Sequence, residues 1–554
     1  MEFLPSRFHF LIVTIVLVIL VLVIRLIDLT VFEKNFLQSQ GDARSKRIIT
    51  MPAYRGIITD RIGYPLAISA PVYSVWVNPK EIDKNSSNVT LLNKLLNLKA
   101  DHIKNLVDKY KDTNREFAYL KRDISPKIAK KIQAMSISGV YLANDYKRFY
   151  PEGEVTSHLI GFTNIDDVGQ EGIELVQNDW LSGMAGKEMV LKDRLGRVIS
   201  LVQNIKEKKP GKNLALSIDH KLQYVAFREL LAGVKNSFAE SGSVVVLDVE
   251  TGEVLAMTNQ PSFNPNNRSK ANSASFRNRA VTDVFEPGST IKAFSVASAL
   301  ESGLFQPSTI IDTYPGWLKV GNNFVRDEHN KSKLSVAQIL QISSNVGITK
   351  MVLELPREQL WDMFHKVGFG QSSMIGFPGE RSGELVNRDP WGDFQLATLA
   401  FGYGMTLTTL QLAEAYSVIA NYGIKKPTSI YKLDKKPVGD RVMKADVAKQ
   451  MLDLLESVIS EKKGTGKSAR VDGYRVAGKT GTARIVGVHG YEKNRHISSF
   501  VGIAPVSNPK YIIAVVVRDP QGKKYFGGDV SAPIFKKIME SALHLANIKP
   551  DSKV

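Results

Sequence analysis

The sequence predicts an α+β fold: one antiparallel sheet with helices, preceded by a mixed segment and a single N-terminal apolar helix. Three observations predict it. Strand-like runs occur at both ends of the C-terminal region, its middle has helical patterning, and the chain opens on a long apolar stretch. Strands at both ends of a region whose middle is helical pair most simply into one sheet.

The apolar stretch comes first. "FHFLIVTIVLVILVLVI", Phe8 to Ile24, carries no formal charge except on a protonated His9, and with "RLIDLTVF" it extends to Phe32. At 1.5 Å per residue that length crosses about 30 Å of hydrocarbon. Arg25 and Asp28 are three residues apart and positioned to pair. The flank "RLIDLTVFEKNF" lacks the small residues of a processing site, which predicts an uncleaved anchor. Arg7 precedes the span, whereas Arg25, Lys34, Arg44, Lys46 and Arg47 follow it; counting these charges alone places the bulk of the chain inside.

Composition narrows the function. With 554 residues, 43% hydrophobic and 23% charged, the chain reads as two to four globular domains. It has no cysteine, which excludes disulfides, thiolate nucleophiles and cysteine-ligated zinc. The net charge of +18 suits an anionic membrane, an acidic polymer or nucleic acid. Basic residues are spread out, with short clusters such as Lys206 to Lys212 and no aromatic-interleaved basic stripe. That pattern argues against nucleic acid.

Residues 45 to about 230 are mixed, with a strand-like "YSVWV" (Tyr73 to Val77) and a turn signal "RIGYP". A helix is predicted after Asp219, with Leu222, Val225, Ala226 and Leu230 on one face. "EKKPGKN" (Glu207 to Asn213) reads as an exposed linker. From Ser243, "SVVVLDVETGEVLAMT" predicts two strands around a Thr-Gly turn. "YRVAGKTGTARIV", "SFVGIAP" and "YIIAVVVRD" predict three more strands near the C-terminus. Between these two groups of strands the chain is predicted mainly helical, including Thr290 to Leu300 and Ser335 to Leu353.

Three motifs carry candidate chemistry. In "FEPGSTIKAF" (Phe285 to Phe294), Pro287 and Gly288 set a turn and Ser289 opens a helix. A helix N-terminus favours negative charge developing on a nearby oxygen. Lys292, three residues on, shares that face, and a buried lysine loses its proton and serves a serine as base. Alone the spacing also fits an ordinary helix start, as "SEKK" at Ser460 shows. In "SSNV", Ser343 and Asn345 offer a proton relay and an amide to one cleft, although "SSN" at Ser86 has the same pattern. "GKTGTA" (Gly478 to Ala483) holds the chain's one Lys-Thr-Gly. On a strand, Lys479 and Gly481 face one way and Thr480 and Thr482 the other. Mid-strand glycine marks close approach of a ligand or backbone, and lysine with threonine hydroxyls suits a carboxylate.

The order S-x-x-K, S-x-N, K-T-G, on helix, helix and strand, is the signature of serine acyl-transferases of the penicillin-binding and β-lactamase class. The chain resembles class B penicillin-binding proteins over nearly its whole length, and among them the septal, cell-division type. The resemblance rests on "RGIITDRIGYPLA", "IGFTNIDDVGQEGIE", "KDRLGRVI", "ESGSVVVLDVETGEVLAM", "RNRAVTDVFEPGSTIKAF", "SSNVGITK", "FGYGMTLTTLQLA", "KTGTARIV" and "YFGGDVSAPIF". One departure is Thr409, where the family pattern has proline.

The resemblance implies a cytoplasmic tail (1–7), an inner-membrane anchor (8–32), an elongated non-catalytic pedestal (33–230), a periplasmic transpeptidase domain (231–548) and a short tail (549–554). This overrides the charge count. It implies acyl transfer from stem peptides ending in D-Ala-D-Ala, with Ser289 as nucleophile and Lys292 as base. Ser343 would relay a proton and Asn345 would hold Lys292 and the substrate amide. Lys479, Thr480, Gly481 and Thr482 would bind the terminal carboxylate, with an oxyanion hole from the N–H groups of Ser289 and Thr482. It implies β-lactam antibiotics as ligands, no metal or cofactor, and a glycan polymerase and division proteins as partners. No E-D-x-x-F motif precedes Ser289, so polymerisation falls to such a partner. The alternatives are an elongation-type relative, a D,D-carboxypeptidase, a penicillin-sensing scaffold or a β-lactamase; the last needs neither anchor nor pedestal. "GTGKS" (Gly464 to Ser468) is not a phosphate loop, because Glu461 stands where that motif needs glycine.

Overall fold

The computed structural model describes residues 5–552 except 111, 112, 114, 194–197, 270, 329, 330, 388–390, 488 and 489. Residues 194–197, inside the "KDRLGRVI" motif, thus lie outside the described residues. Contacts divide the chain into two compact units, one of 1–55, 69–147 and 183–211, the other of 56–68, 148–182 and 212–554.

The first unit begins with the apolar helix. Among the described residues one helix, Arg7–Phe32, is long and apolar enough to cross a membrane, and its apolar side chains are exposed. Arg25 pairs with Asp28 as expected. Lys46–Met51 then pairs antiparallel with Gly186–Lys192, which pairs with Val198–Lys206. The expected strand at Tyr73 ends the long strand Pro65–Val77, paired with Ala118–Ile124. Val75, Leu92, Ile103 and Ile132 form this unit's core with the helices Ser87–Leu95, His102–Tyr110 and Pro126–Ala134.

The second unit is built on a five-stranded sheet. Helix α1 (His220–Asn236) starts where Asp219 accepts N–H bonds from Lys221 and Leu222, at 3.0 and 3.2 Å. Strands β1 (Ser241–Asp248) and β2 (Val254–Gln260) form the expected hairpin, closed by Gly252 at φ +73°. Strands β3 (Ala477–Gly487), β4 (Gly490–Ala504) and β5 (Tyr511–Arg518) complete it in the order β2-β1-β5-β4-β3, every neighbour antiparallel. The terminal strands thus meet in one sheet, and β3 is an edge.

Both faces of β1 are buried. Alternate side chains point to opposite faces, so Val244 and Val246 pack with α1 and with α7 (Ser531–Leu545). Val245 and Leu247 face a larger cluster containing Phe294, Tyr416 and Leu455. Those three come from α2 (Lys292–Ser302), α5 (Thr409–Ala420) and α6 (Ala445–Ser460). Burying each such side chain contributes about 1.5–3 kcal/mol, which fixes the helix carrying Lys292 against the sheet carrying Lys479.

The helix expected over Ser335 to Leu353 is not continuous. It is two helices, α3 (Val336–Ile342) and α4 (Asn345–Leu353), broken at Ser343, which is left-handed at φ 64°, ψ 44°. Ser344 caps α4 by accepting the Gly347 N–H at 2.9 Å. The physical reason is competition: capping at Ser344 takes the donors that a continuous helix would use, and the chain turns.

The expected domain limits follow chain order, whereas the contacts do not. Ile58, Leu66, Leu159, Ile160 and Leu181 pack into the same cluster as Val245 and Phe294. Within this unit Arg148 and Glu174 form a buried ion pair at 2.6 Å.

Candidate active site

The turn before α2 is set by two glycines. Gly288 has φ +53°, and a Cβ there would lie 3.2 Å from the Thr482 carbonyl oxygen. Its N–H donates to Gly402 O at 3.1 Å, and a Cβ on Gly402 would lie 2.2 Å from Gly288 O. Backbone meets backbone, which only glycine permits. Gly288–Ile291 is one turn of 3₁₀ helix that continues into α2. Ser289 is half-buried there, and its hydroxyl has no hydrogen-bond partner among the described residues. The Tyr416 hydroxyl, donating to Thr290 O at 2.7 Å, holds the turn from α5.

Lys292 opens α2 and is fully buried. Its Nζ donates to Ser343 O at 2.6 Å, to Asn345 Oδ1 at 2.6 Å and to Ser343 Oγ at 3.1 Å. The left-handed conformation of Ser343 turns both its carbonyl and its hydroxyl toward this amine. For a non-glycine residue that conformation costs about 1–2 kcal/mol, so the surroundings must hold it.

Asp327 binds the three residues that follow Ser343. It accepts the Ser344 hydroxyl at 2.6 Å, the Val346 N–H at 3.0 Å and the Asn345 N–H. Asn345 Nδ2 donates to Arg326 O at 3.0 Å, which orients its Oδ1 to Lys292.

Lys479 arrives from the edge strand β3, also fully buried. Its Nζ donates to Ser343 Oγ at 3.2 Å and to Thr480 O at 3.1 Å. Two amines therefore share one serine hydroxyl. A Cβ on Gly481 would lie 2.3 Å from Ser499 Oγ and 3.0 Å from Pro287 O. The strand can press against the Ser289 turn because no side chain intervenes. Thr480 shares a hydrogen bond of 2.8 Å with Thr465, and Thr482 Oγ1 accepts the Gly527 N–H at 3.1 Å.

Burial pushes the Lys292 amine down to about 7, against the pull of Asp327 and Glu328. Burial and then the neighbouring Lys292 push Lys479 well below the ordinary lysine range. Near neutral pH a lysine so placed is a base rather than a permanent cation.

All eight residues expected from the sequence fall on these adjoining segments. Four more were not foreseen as contributors: Asp327, Thr465, Tyr416 and Glu286. Glu286 is half-buried, accepts from Gly404 N at 2.8 Å and from the Tyr491 hydroxyl at 3.0 Å, and burial raises its carboxyl. None has a local signal, because each acts through a contact distant in sequence.

Thr409 caps nothing but contributes a contact. It is the first residue of α5, where Thr408 and Gln411 form a capping box, and its hydroxyl bonds Ser243 Oγ of β1 at 2.7 Å.

Known proteins share this arrangement of domains. Residues 242–540 match the penicillin binding protein transpeptidase domain and residues 50–216 the penicillin-binding protein dimerisation domain. The peptidoglycan D,D-transpeptidase FtsI of Escherichia coli is 41% identical, with 100% of this chain and 94% of the relative aligned. The probable peptidoglycan D,D-transpeptidase PenA of Neisseria meningitidis is 40% identical over 98% of this chain and 94% of its own length. Among solved structures, penicillin binding protein 3 of Mycobacterium tuberculosis, complexed with aztreonam, superposes with a TM-score of 0.71 at 25% identity, covering 91% of this chain and 98% of its own. A serine turn, two buried lysines on one hydroxyl and full-length likeness to such enzymes lead to one conclusion: this chain belongs to the penicillin-binding protein transpeptidases.

Proposed function

We propose that the chain cross-links peptidoglycan stem peptides at the division septum through an acyl-enzyme on Ser289. The observation that carries this reading is the convergence of Lys292, Ser343, Asn345 and Lys479 on one hydrogen-bonded centre, on segments adjoining the Ser289 turn.

In the acylation step Ser289 Oγ attacks the penultimate D-Ala carbonyl and passes its proton to neutral Lys292. The oxyanion takes N–H bonds from Ser289 and Thr482, each worth about 2.7–4 kcal/mol in acyl-transfer enzymes. The C–N bond to the terminal D-Ala breaks, its nitrogen takes a proton relayed through Ser343 Oγ, and the acyl group stays on Ser289. An acceptor amine then attacks the ester, gives up a proton to Lys292, and the serine hydroxyl re-forms as the cross-link leaves. Lys479, Thr480 and Thr482 orient the terminal carboxylate, and Gly481 lets the edge strand approach.

The anchor (8–32) holds the chain in the inner membrane, with the pedestal (33–230) and transpeptidase domain (231–548) on the periplasmic side, where peptidoglycan lies. A glycan polymerase and division proteins act beside it. β-Lactams mimic the D-Ala-D-Ala end and acylate Ser289.

The test is covalent labelling of the full-length chain in detergent with a fluorescent penicillin, beside Ser289→Ala. One adduct per chain, lasting many minutes and absent from the alanine variant, is the expected result. A folded chain that takes no label overturns the reading, and one that sheds it within seconds is a hydrolase.

A further inference from the structure

Asp327 binds the start of α4 through both of its carboxylate oxygens. Its Oδ2 accepts from the N-cap serine of α4, and its Oδ1 accepts the first two N–H groups of that helix. The second of those bonds leads straight to chemistry, because the residue whose N–H it holds, Asn345, presents its Oδ1 to Lys292 at 2.6 Å. A negative group at a helix N-terminus is itself stabilising.

The charges around Lys292 are few. Asp327 and Glu328 face it from the segment before α3, and Lys479 faces it across the shared Ser343 hydroxyl. Glu328 is exposed, whereas Asp327 is half-buried and bound into the turn. Lys292's own three contacts are neutral oxygens. The negative charge fixed most firmly near this base is therefore Asp327.

We propose that Asp327 is a positioning residue of the acyl-transfer site: it locks Ser343 and Asn345 in their turn and supplies the charge that sets the proton affinity of Lys292. This rests on the transpeptidase reading above. Loss of the charge makes Lys292 easier to deprotonate, so acylation persists to lower pH. Loss of the contacts alone loosens the turn and slows acylation at every pH. The two contributions separate experimentally, since asparagine keeps an acceptor for the two N–H groups and can still meet the Ser344 hydroxyl.

The experiment follows the acylation rate of the full-length chain by a fluorescent penicillin from about pH 5.5 to about pH 9. Wild type should lose rate as pH falls through about 7. In Asp327→Asn that acid limb should move down by roughly half a pH unit or more, a readout that a merely structural role would not move. Ser344→Ala, which deletes the Oδ2 contact together with the Gly347 cap but keeps the charge, should slow acylation several-fold with the limb unmoved. It also keeps the test readable should the asparagine variant not fold. An unmoved limb in a folded Asp327→Asn, or a Ser344→Ala rate equal to wild type, overturns the inference while the labelled wild type leaves the transpeptidase reading standing. A wild type that takes no label removes both.

Discussion

Two buried charge clusters in the same unit behave in opposite ways. Arg148 and Glu174 sit with side chains 1% and 0% exposed, 2.6 Å apart, and each charge cancels the other. Lys292 and Lys479 are as deeply buried, but both are potential cations and their partners are neutral oxygens. Removing an ion from water is expensive unless an opposite charge offsets it. The first cluster offsets it and is architecture. In the second, burial pushes the proton affinity of both amines down, which is what a base near neutral pH needs. The sign of the neighbour, rather than burial, separates them.

The sharpest way to break that comparison is to remove one cation from each. Lys292→Met should lower the penicillin acylation rate by about 10²–10⁴-fold, the range of a lost general base, with the fold intact. Its stability should differ from wild type in a pH-dependent way. Lys292 binds its proton less readily folded than unfolded, falling from 10.5 to about 7. Between those values the unfolded chain holds more protons, so wild type gains stability as pH rises through that window, and the gain is complete above it. The melting temperature of Lys292→Met relative to wild type should therefore fall steadily from about pH 7 toward about pH 10. A constant difference would mean that Lys292 is not a suppressed cation.

Glu174→Gln makes the complementary cut. It removes the Glu174 charge from beside buried Arg148 and should destabilise by about 3–5 kcal/mol, read as a large drop in melting temperature. The chain that remains folded should still take label at Ser289, since the hydrogen bonds of Lys292 and Lys479 run to Ser343, Asn345 and Thr480 and not to this pair. Loss of labelling with stability unchanged would reverse the assignment of the two clusters.

What could be read from the sequence follows from which contacts are local. The β1–β2 hairpin, strands β3 and β5, and the Asp219 cap were all legible, because alternation, Thr-Gly turns and capping residues act within a few positions. The three motifs were legible because each places its groups within one turn or one strand. The break at Ser343 was not. Periodicity from Ser335 to Leu353 reads as one helix, whereas the second helix starts on donors taken by Ser344 and by Asp327, the latter 18 residues before Asn345. The base reading of Lys292 asks for a buried lysine, but the segments that cover it were not legible, since lysine is ordinarily exposed and its cover is distant in sequence. Nor was the placement of 56–68 and 148–182, whose apolar residues join a cluster with Phe294.

Thr409 tests the comparison at its mildest, with a buried neutral pair in place of charges. Proline, the family residue, suits a first helical position because the N–H it lacks has no partner within the helix. Yet the Thr409 hydroxyl meets Ser243 Oγ at 2.7 Å, with both residues buried. Thr409→Pro would keep α5, whose capping box uses Thr408 and Gln411, but would strand the Ser243 hydroxyl. Leaving a buried hydroxyl unpaired costs about 1–3 kcal/mol, against a gain of about 0.4–1 kcal/mol from a stiffer unfolded chain. The expected outcome is a net loss of about 1 kcal/mol, measured by denaturant unfolding. Ser243→Ala in the same background should recover most of it, because deleting both partners removes the unpaired group. If Thr409→Pro is instead stabilising by itself, the hydroxyl pair contributes nothing and the substitution is neutral drift at a helix start. Neither result should change the acylation rate, since α5 reaches the serine turn through Tyr416 rather than through its first residue.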